Sequence, residues 1–502
     1  MGFNMTTDVK TVPLLWTPGI QRDGTVLEVD IWSDGQWVRF QRSKPRKMRG
    51  YKAGNTTLNQ TPRTLYMHWQ GTSGYLHSFY GSGIDRVTVD AAGNMSAITN
   101  RTPAGFTPDT NFSWTADTIF DNGGSATTIV AAPCSNLQDI GAGSAQPIYY
   151  GDATATTPLL DTGQTTDGGI VVLQPFVFKF GGNGLIAWSQ DNQPTSWTGG
   201  NSGSARVAGS KIVAGLPIQA SSGPSGIFLS LNSVILATFT TGTSVFQFRT
   251  LTNQVSVLAP KSFIEANGRY FWMGANCFYM FDGRVTKLIN TYNQNYFFDG
   301  LNRSQAQKIW SMFVPEFGEI WWFYPRGANT ECSDVIILNL DEWERTGKPV
   351  FYDTVLSRSA GFSPRVFRYP LMTDTNNPST VWQHEYGTDV YNSAGVSTAA
   401  INSYIESSPV DFVEDGVNRW SANWRLEPDM LQTGDMTFSV IGQKYPRSPD
   451  STTNYTLSAG AEKIDFNVQN RYPRFKWLSN VAGGDYSIGK CMLHMTPRDG
   501  RQ

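Results

Sequence analysis

The chain has 502 residues, a formal net charge of −2 and only 16% charged residues, well under the quarter or so usual for soluble domains. Aromatics reach 13%, with 49 glycines and 26 prolines, so short strands joined by tight turns are expected in place of long helices. That balance excludes a basic nucleic-acid-coating protein and a disordered acidic chain, and the length predicts two or three domains of an all-β protein.

The opening MGFNMTTDVK has no apolar core behind a basic start, so no secretory signal is expected. Residues 1–60 read as an N-terminal arm with one basic hairpin, packing on a C-terminal platform. Val29 and Ile31 alternate with polar neighbours and Trp32, Ser33-Asp34-Gly35 supplies a turn, and Val38 and Phe40 alternate again. Alternation about an Asp-Gly pair predicts a hairpin there. From Trp37 to Lys52, seven of sixteen residues are basic: Arg39, Arg42, Lys44, Arg46, Lys47, Arg49 and Lys52. No acidic residue lies between Asp34 and Asp85. Such a run is either a solvated hairpin or a docking patch for an acidic partner or for phosphates.

From residue 61 apolar β-rich runs recur, among them TLYMHW, GIVVLQPFVFKFGG, RYFWMGANCFYMFDG and KIWSMFVPEFGEIWWFYP. Pairs of hairpins return about every 40 residues, the period of propeller blades. The expectation is a β-propeller over 61–395, with a sandwich carrying long insertions as the alternative. Residues 91–111 and 152–169 read as long excursions from blade tips, where binding surfaces usually lie. Beyond about Val396 the runs TFSVIGQKYP, EKIDFNVQ, YPRFKWLS and KCMLHMTP predict a β-sandwich-like platform domain over 396–502. The most apolar windows, 170–180 and 227–239, are shorter than the ~20 residues needed to span a bilayer, so no stable membrane insertion is expected.

Chemistry-bearing motifs are sparse. Cys134, Cys277, Cys332 and Cys491 are far apart without metal spacing and read as buried apolar residues of a reducing compartment. His68, His77, His384 and His494 form no HxH or HxxxH pair and read as partly buried strand or turn residues. No nucleophile elbow, P-loop or dinucleotide fingerprint occurs, so no catalytic residue, metal or cofactor is expected. Ser189 to Trp197 is similar to the Asp-box turn of sialidase propellers, but Gln193 replaces its glycine and Trp197 is one place late. A sialidase would also need an arginine cluster and a tyrosine nucleophile. Arg249, Arg269 and Tyr270 supply the residue types with nothing in sequence to gather them.

Three regions carry a family likeness. Val38-Arg39-Phe40, then Pro45, Lys47, Gly50 and Tyr51, resemble an N-terminal signature of the tail nozzle, or tail-hub, proteins of short-tailed bacteriophages, also called packaged-DNA stabilisation proteins. Ser43-Lys44 stand where that family has a glycine. Ser189-Gln190-Asp191 with Pro194 and Trp197 resemble the family's Ser-Asp…Pro…Trp turn. Arg471 to Phe475, Gly489 to Leu493, and Pro497-Arg498-Asp499-Gly500-Arg501 resemble its terminal strands and ending, with Arg498 as an extra residue.

The resemblance implies a structural virion protein made in the bacterial cytoplasm: a propeller with a platform-like β-domain, assembled as a hexameric ring. Such a ring extends the portal and adaptor channel, retains packaged DNA and lets double-stranded DNA pass at infection. Its implied partners are further copies of itself, the adaptor or head-to-tail connector, tail fibres or spikes, and a needle or plug protein. With that role, Arg39, Arg42, Lys44, Arg46, Lys47 and Arg49 are expected to dock on an acidic adaptor or adjacent subunit. Direct DNA binding is the lesser use, because a strongly basic lumen would hold passing phosphates. Two other classes stay open: a carbohydrate-binding or glycan-cleaving propeller, and a receptor-binding tail tip.

Overall fold

A computed structural model describes the chain except residues 1–8, 26, 28–29, 110–112, 123–125, 135–144, 220–222, 242–243, 364–368, 412, 415–416, 447 and 499–502. Val29 of the expected hairpin and Asp499-Gly500-Arg501 of the expected ending lie outside the described residues.

Six four-stranded antiparallel sheets follow one another among the described residues, at 64–100, 113–166, 169–206, 212–252, 264–288 and 310–355, and a seventh begins at 360–384. The first strand of one sheet packs beside the first strand of the next. The ring closes where Ala360–Phe362 of the seventh packs on Thr64–Gln70 of the first. This is a seven-bladed β-propeller. Blades are covered on both faces by their neighbours, so their strands read as continuous apolar runs rather than alternating ones. Phe176–Phe180 illustrates this: Phe178 packs against Phe228 and Phe246 of the next blade, with centroids 5.9 and 4.8 Å away.

The seventh blade contains only three strands from its own stretch of sequence. Its fourth is Tyr51–Leu58, antiparallel to Ser379–His384. The local pattern assigns 51–58 to the N-terminal arm, and the structure corrects this. Stitching the first propeller strand to the last closes the circle without an exposed edge between them. Asp389–Tyr391 then adds on the other side of Tyr51–Leu58, in parallel, and Ser397–Ala400 follows it, so this sheet continues to residue 400.

The platform is built from both ends of the chain. Lys10–Leu14 pairs with Cys491–Pro497, and Ile31–Gln36 pairs with Ser403–Ser407. Val38–Gln41 and Lys44–Lys47 form a sheet with Asp485–Ile488 and Met430–Thr433. Trp16, Trp32 and Trp477 meet in a buried triangle with centroids 4.7 to 6.2 Å apart. The same core runs on through Trp37 and Phe40 into Trp310, Trp321 and Phe323 of the sixth blade. Propeller and platform therefore share one hydrophobic core.

Two further expectations are corrected. Ser33-Asp34-Gly35 is not a turn but lies inside the strand Ile31–Gln36. Asp34 is held there by Arg22 and by the Tyr404 hydroxyl at 3.1 Å. Gly35 is needed for closeness, since a Cβ would meet Ile20 Cδ1 at 2.9 Å. The excursion over 152–169 contains Leu160–Thr166, the outer strand of the second blade; its polar sequence suits a strand whose outer edge meets water.

Candidate docking surface

The basic stretch folds as a tight hairpin, Val38–Gln41 against Lys44–Lys47, with Phe40 opposite Pro45. Arg42 and Ser43 form its two-residue loop, with φ of 53° and 62°. Two left-handed residues give the twist that matches a two-residue hairpin, which non-glycine residues adopt only when held there. The hold comes from the propeller. Ser43 N donates to both carboxylate oxygens of Glu342 at 3.1 Å, and Arg345 contacts the Ser43 hydroxyl. Glu342 sits in the first turn of the helix Leu340–Thr346, capped by Asn339, whose side chain accepts from Glu342 N at 2.8 Å. Asn339 also donates to the carbonyl of Phe40 at 3.1 Å.

Arg39 points the other way, into the protein. Its Nε and Nη2 donate to Glu319 at 3.0 and 3.1 Å, and Nη1 and Nη2 donate to Glu385 at 2.7 and 2.6 Å. The guanidinium lies over the ring of Phe317, 3.4 Å from its centroid. Glu319 also accepts from the Tyr352 hydroxyl at 2.6 Å and from Trp321 Nε1 at 2.8 Å. Burial works against the charge on Arg39, but the two carboxylates outweigh it and hold the guanidinium protonated far above its ordinary value. Burial pushes the Glu319 carboxyl upward, against the pull of Arg39 and of the Tyr352 hydroxyl.

Two of the six residues expected to dock are therefore corrected. Arg39 and Lys47 are each 1% exposed. Lys47 Nζ donates to the Gly484 carbonyl at 2.7 Å inside the platform, and burial lowers its pKa although Asp389 and Asp485 oppose this. A charge buried and facing inward, already hydrogen-bonded within the protein, is out of a partner's reach. Arg46 is half-occupied by Gln41 at 3.1 Å and Asp485 at 4.0 Å, and Arg49 by Glu316 at 3.3 Å. Arg42 and Lys44 are exposed, and among the described residues neither makes an ion pair.

Beside this tip runs a groove of about 740 Å³ between the helix Leu340–Thr346 and the platform. Arg42, Lys44, Arg46 and Arg345 line one side, and the strand Met430–Thr433 lines the other. That strand is the edge of its sheet, and Leu431 on it is 78% exposed. A sheet edge with free backbone groups, an exposed leucine and a cationic hairpin tip together form a surface suited to a second chain. No local pattern signals Leu431, because its exposure depends on which strand ends the sheet.

The other residues singled out in the sequence are packed or hydrogen-bonded within the fold. Gly50 lies where a Cβ would come within 1.9 Å of the Asp389 carbonyl. Tyr51 packs between Trp37 and Trp382 and stacks on His384. The residues from Ser189 to Trp197 form a turn in which the Ser189 hydroxyl accepts from Val177 N and Trp197 Nε1 donates to the Pro194 carbonyl. Arg269 binds Glu344 and the Tyr270 hydroxyl donates to the Pro217 carbonyl, so no arginine–tyrosine cluster forms from the pair named above. Among the described residues no three His, Cys, Asp or Glu side chains converge as metal ligands, and no helix is long and apolar enough to cross a membrane. The propeller axis is bridged: Lys261, just before the fifth blade, donates through Nζ to Thr64 Oγ1 on the first blade at 2.8 Å.

No protein-family model matches the chain, and no curated protein does. Among solved structures it is similar to an exo-beta-1,3-galactanase from Phanerochaete chrysosporium, with a TM-score of 0.31 and 10% identity over 88% of this chain and 100% of that one. It is also similar to the computationally designed Ika8 protein, with a TM-score of 0.34 and 9% identity over 67% of this chain and 99% of that one. Neither likeness carries an argument about what this chain does.

Proposed function

We propose that this chain is a structural subunit of the tail nozzle of a short-tailed bacteriophage: a ring that extends the portal and adaptor channel, retains packaged DNA and lets it pass at infection. The observation that carries the reading is where the signature-like residues sit. Arg39, Gly50 and Tyr51 weld the propeller to the platform through a buried ion pair, a backbone close approach and an aromatic stack. A subunit that must hold a pressurised genome needs its two parts to move as one body, and a shared core with buried charge pairing suits that need. In this reading DNA runs through the lumen of the ring, between subunits, because Lys261 bridges the propeller's own axis.

Arg42 and Lys44, with the neighbouring strand edge, dock on an acidic surface of the adaptor or of an adjacent subunit. Electrostatic contacts of this kind set orientation and association rate more than raw affinity. Fibres or spikes attach around the outside of the ring.

The test is mass measurement and negative-stain imaging of the purified protein, alone and with an adaptor ring. Closed rings, six-fold by the resemblance, are expected. A protein that stays monomeric with the adaptor present overturns the reading.

A further inference from the structure

We propose that the acidic surface on which the hairpin tip docks belongs to a second copy of this chain. It is the end of that copy's second blade, where Asp121, Asp152, Asp161 and the neighbouring Asp191 accompany the exposed Phe120 and Leu160. The inference deepens the ring reading, and rests on it for closure, by naming the two surfaces that meet between neighbours.

The chain sorts its charge by region. Between Asp34 and Asp85 lie eight lysines and arginines and no carboxylate, whereas from Asp85 to Asp191 ten aspartates stand against three cations. Two of those three, Arg86 and Arg101, are buried. The third, Lys179, donates to Gln164 at 2.8 Å and lies over the Trp197 ring. The charge this region shows to solvent is therefore acidic, and the charge the tip shows is basic.

Strand register gathers the acidic residues at one end of the second blade. Phe120 and Asp121 close its first strand, Ser113–Asp121, and Phe120 is paired with Thr127, whose carbonyl accepts from Ala153 N at 3.0 Å. Asp152 is thereby brought beside them, and the same connection leads to Leu160 and Asp161 at the start of the outer strand. A turn of the third blade joins the group, since Asn122 N donates to the carbonyl of Asn192, next to Asp191, at 3.0 Å. Phe120 is 51% exposed and Leu160 58%, so apolar and acidic groups share this surface. Asp161 Oδ1 accepts from Gly163 N, and Asp191 Oδ1 from the amides of Gln190 and Asn201. Among the described residues the Oδ2 atoms of these two accept no hydrogen bond, and neither carboxylate makes an ion pair. Asp152 lends its charge to the buried Arg86 and Arg101, so Asp161 and Asp191 are the better test residues.

The tip offers the matching chemistry. Arg42 and Lys44 stand in water, and the exposed Leu431 lies across the groove from them. Cations beside a leucine on one surface, and carboxylates beside Phe120 and Leu160 on the other, make an interface with an apolar centre and a charge-paired rim. One chain cannot bring its own two surfaces together. The tip rests on the helix Leu340–Thr346, which joins the third and fourth strands of the sixth blade, and the acidic end includes the same connection in the second blade. Both surfaces therefore lie at one end of the propeller, but three blades apart in a circle of seven, nearly opposite across the axis. Contact between two copies is then head-to-tail. Each pair keeps one tip and one acidic end free, and copies add until a ring closes.

The test is sedimentation velocity and negative-stain imaging of the full chain. It compares the native protein, a tip variant (Arg42→Glu with Lys44→Glu), a face variant (Asp161→Lys with Asp191→Lys) and a chain carrying all four changes. The native chain should assemble, less tightly as sodium chloride rises. Each variant alone should assemble at least about tenfold less tightly. An equimolar mixture of the two, and the chain with all four changes, should both assemble again, because opposite charges then meet at every junction. Misfolding cannot produce that recovery. Native rings that persist in either variant, or a loss that neither the mixture nor the four-change chain recovers, overturn the inference and leave the ring reading standing. So does a tip variant that self-assembles normally but no longer joins an adaptor ring, which assigns the tip to the adaptor. Open chains in place of rings, with the same pattern of loss and recovery, support the tip-to-face contact and overturn the ring reading. A native chain that stays monomeric with the adaptor present overturns both.

Discussion

Arg39 and Glu319 meet through two parallel hydrogen bonds, at 3.0 and 3.1 Å, with both side chains shut off from solvent. Glu385 completes the site from the end of the seventh blade's third strand, so one guanidinium joins the hairpin to two blades. Removing the cation leaves two carboxylates buried within one pocket. Arg39→Met should therefore cost about 3–5 kcal/mol in urea unfolding. Arg39→Lys should recover little, because an ammonium cannot make the paired bonds to both carboxylates. A loss below about 1 kcal/mol in either variant would show that the pocket is wetter than its geometry indicates.

The hairpin's charges divide into two kinds, and mutation should separate them. Reversing Arg42 and Lys44 to Glu should change stability by no more than about 0.5 kcal/mol, since both side chains stand in water. Assembly with the adaptor should nevertheless fail. Lys47→Glu should unfold the platform, because a carboxylate would replace the donor to the Gly484 carbonyl. Circular dichroism and a co-sedimentation assay read the two effects independently. Intact assembly by the double reversal rules out the docking role.

Gly50→Ala tests the join between Tyr51–Leu58 and the parallel strand Asp389–Tyr391 added beside it. A methyl group there meets the Asp389 carbonyl oxygen at 1.9 Å and its nitrogen at 2.6 Å, so backbone has to move. The expected cost is about 3 kcal/mol, at the upper end for overpacking. Amide exchange should quicken first in Tyr51–Leu58 and Asp389–Tyr391, whose pairing the shift disrupts. Unchanged exchange in both strands would contradict this account.

Lys261 gives a pH signature. Burial lowers its ammonium to about 8, and among the described residues no carboxylate bonds it. Between pH 8 and the unfolded value of 10.5 the unfolded chain holds the extra proton, so this residue's contribution to stability rises with pH across that window and is flat below it. Lys261→Met should accordingly be more stable than the native chain by about 1–3 kcal/mol at pH 7, with the gap closing by pH 10.5. A gap that stays constant from pH 7 to 10.5 would show that the amine is not desolvated.

Much of the fold is legible in the pattern of residues alone. Aromatic runs broken by short polar turns point to an all-β chain, and their spacing points to a propeller, because a blade must bury both faces and so repeats the same apolar hairpins. RYFWMGANCFYMFDG folds as its pattern predicts: Arg269–Met273 pairs with Phe278–Phe281 across a turn that begins at Gly274. The failures share one cause. Asp34-Gly35 has the composition of a turn, yet it is a strand because Arg22, Ile20 and Ile405 approach from remote sequence. The polar Leu160–Thr166 reads as loop but pairs with Gln146–Asp152.

By itself the sequence determined the class of fold, the repeat and the place of the basic run, since these follow from local patterns of apolar, turn and charged residues; the hairpin's turn lies at Arg42-Ser43 and not at Asp34-Gly35. Only the tertiary structure decided which of that hairpin's cations face water. Arg39 and Lys47 carry the same charge as Arg42 and Lys44, and in a strand the side chains alternate between two faces. Yet Arg39 and Lys47 lie on opposite faces of the hairpin, and Lys44 shares the face of Arg39, so alternation does not separate them. What buries two of them is Glu319, Glu385 and the Gly484 carbonyl, groups some 280 to 440 residues further along the chain. Charge can be counted residue by residue, but its use depends on the desolvation and partners that packing supplies.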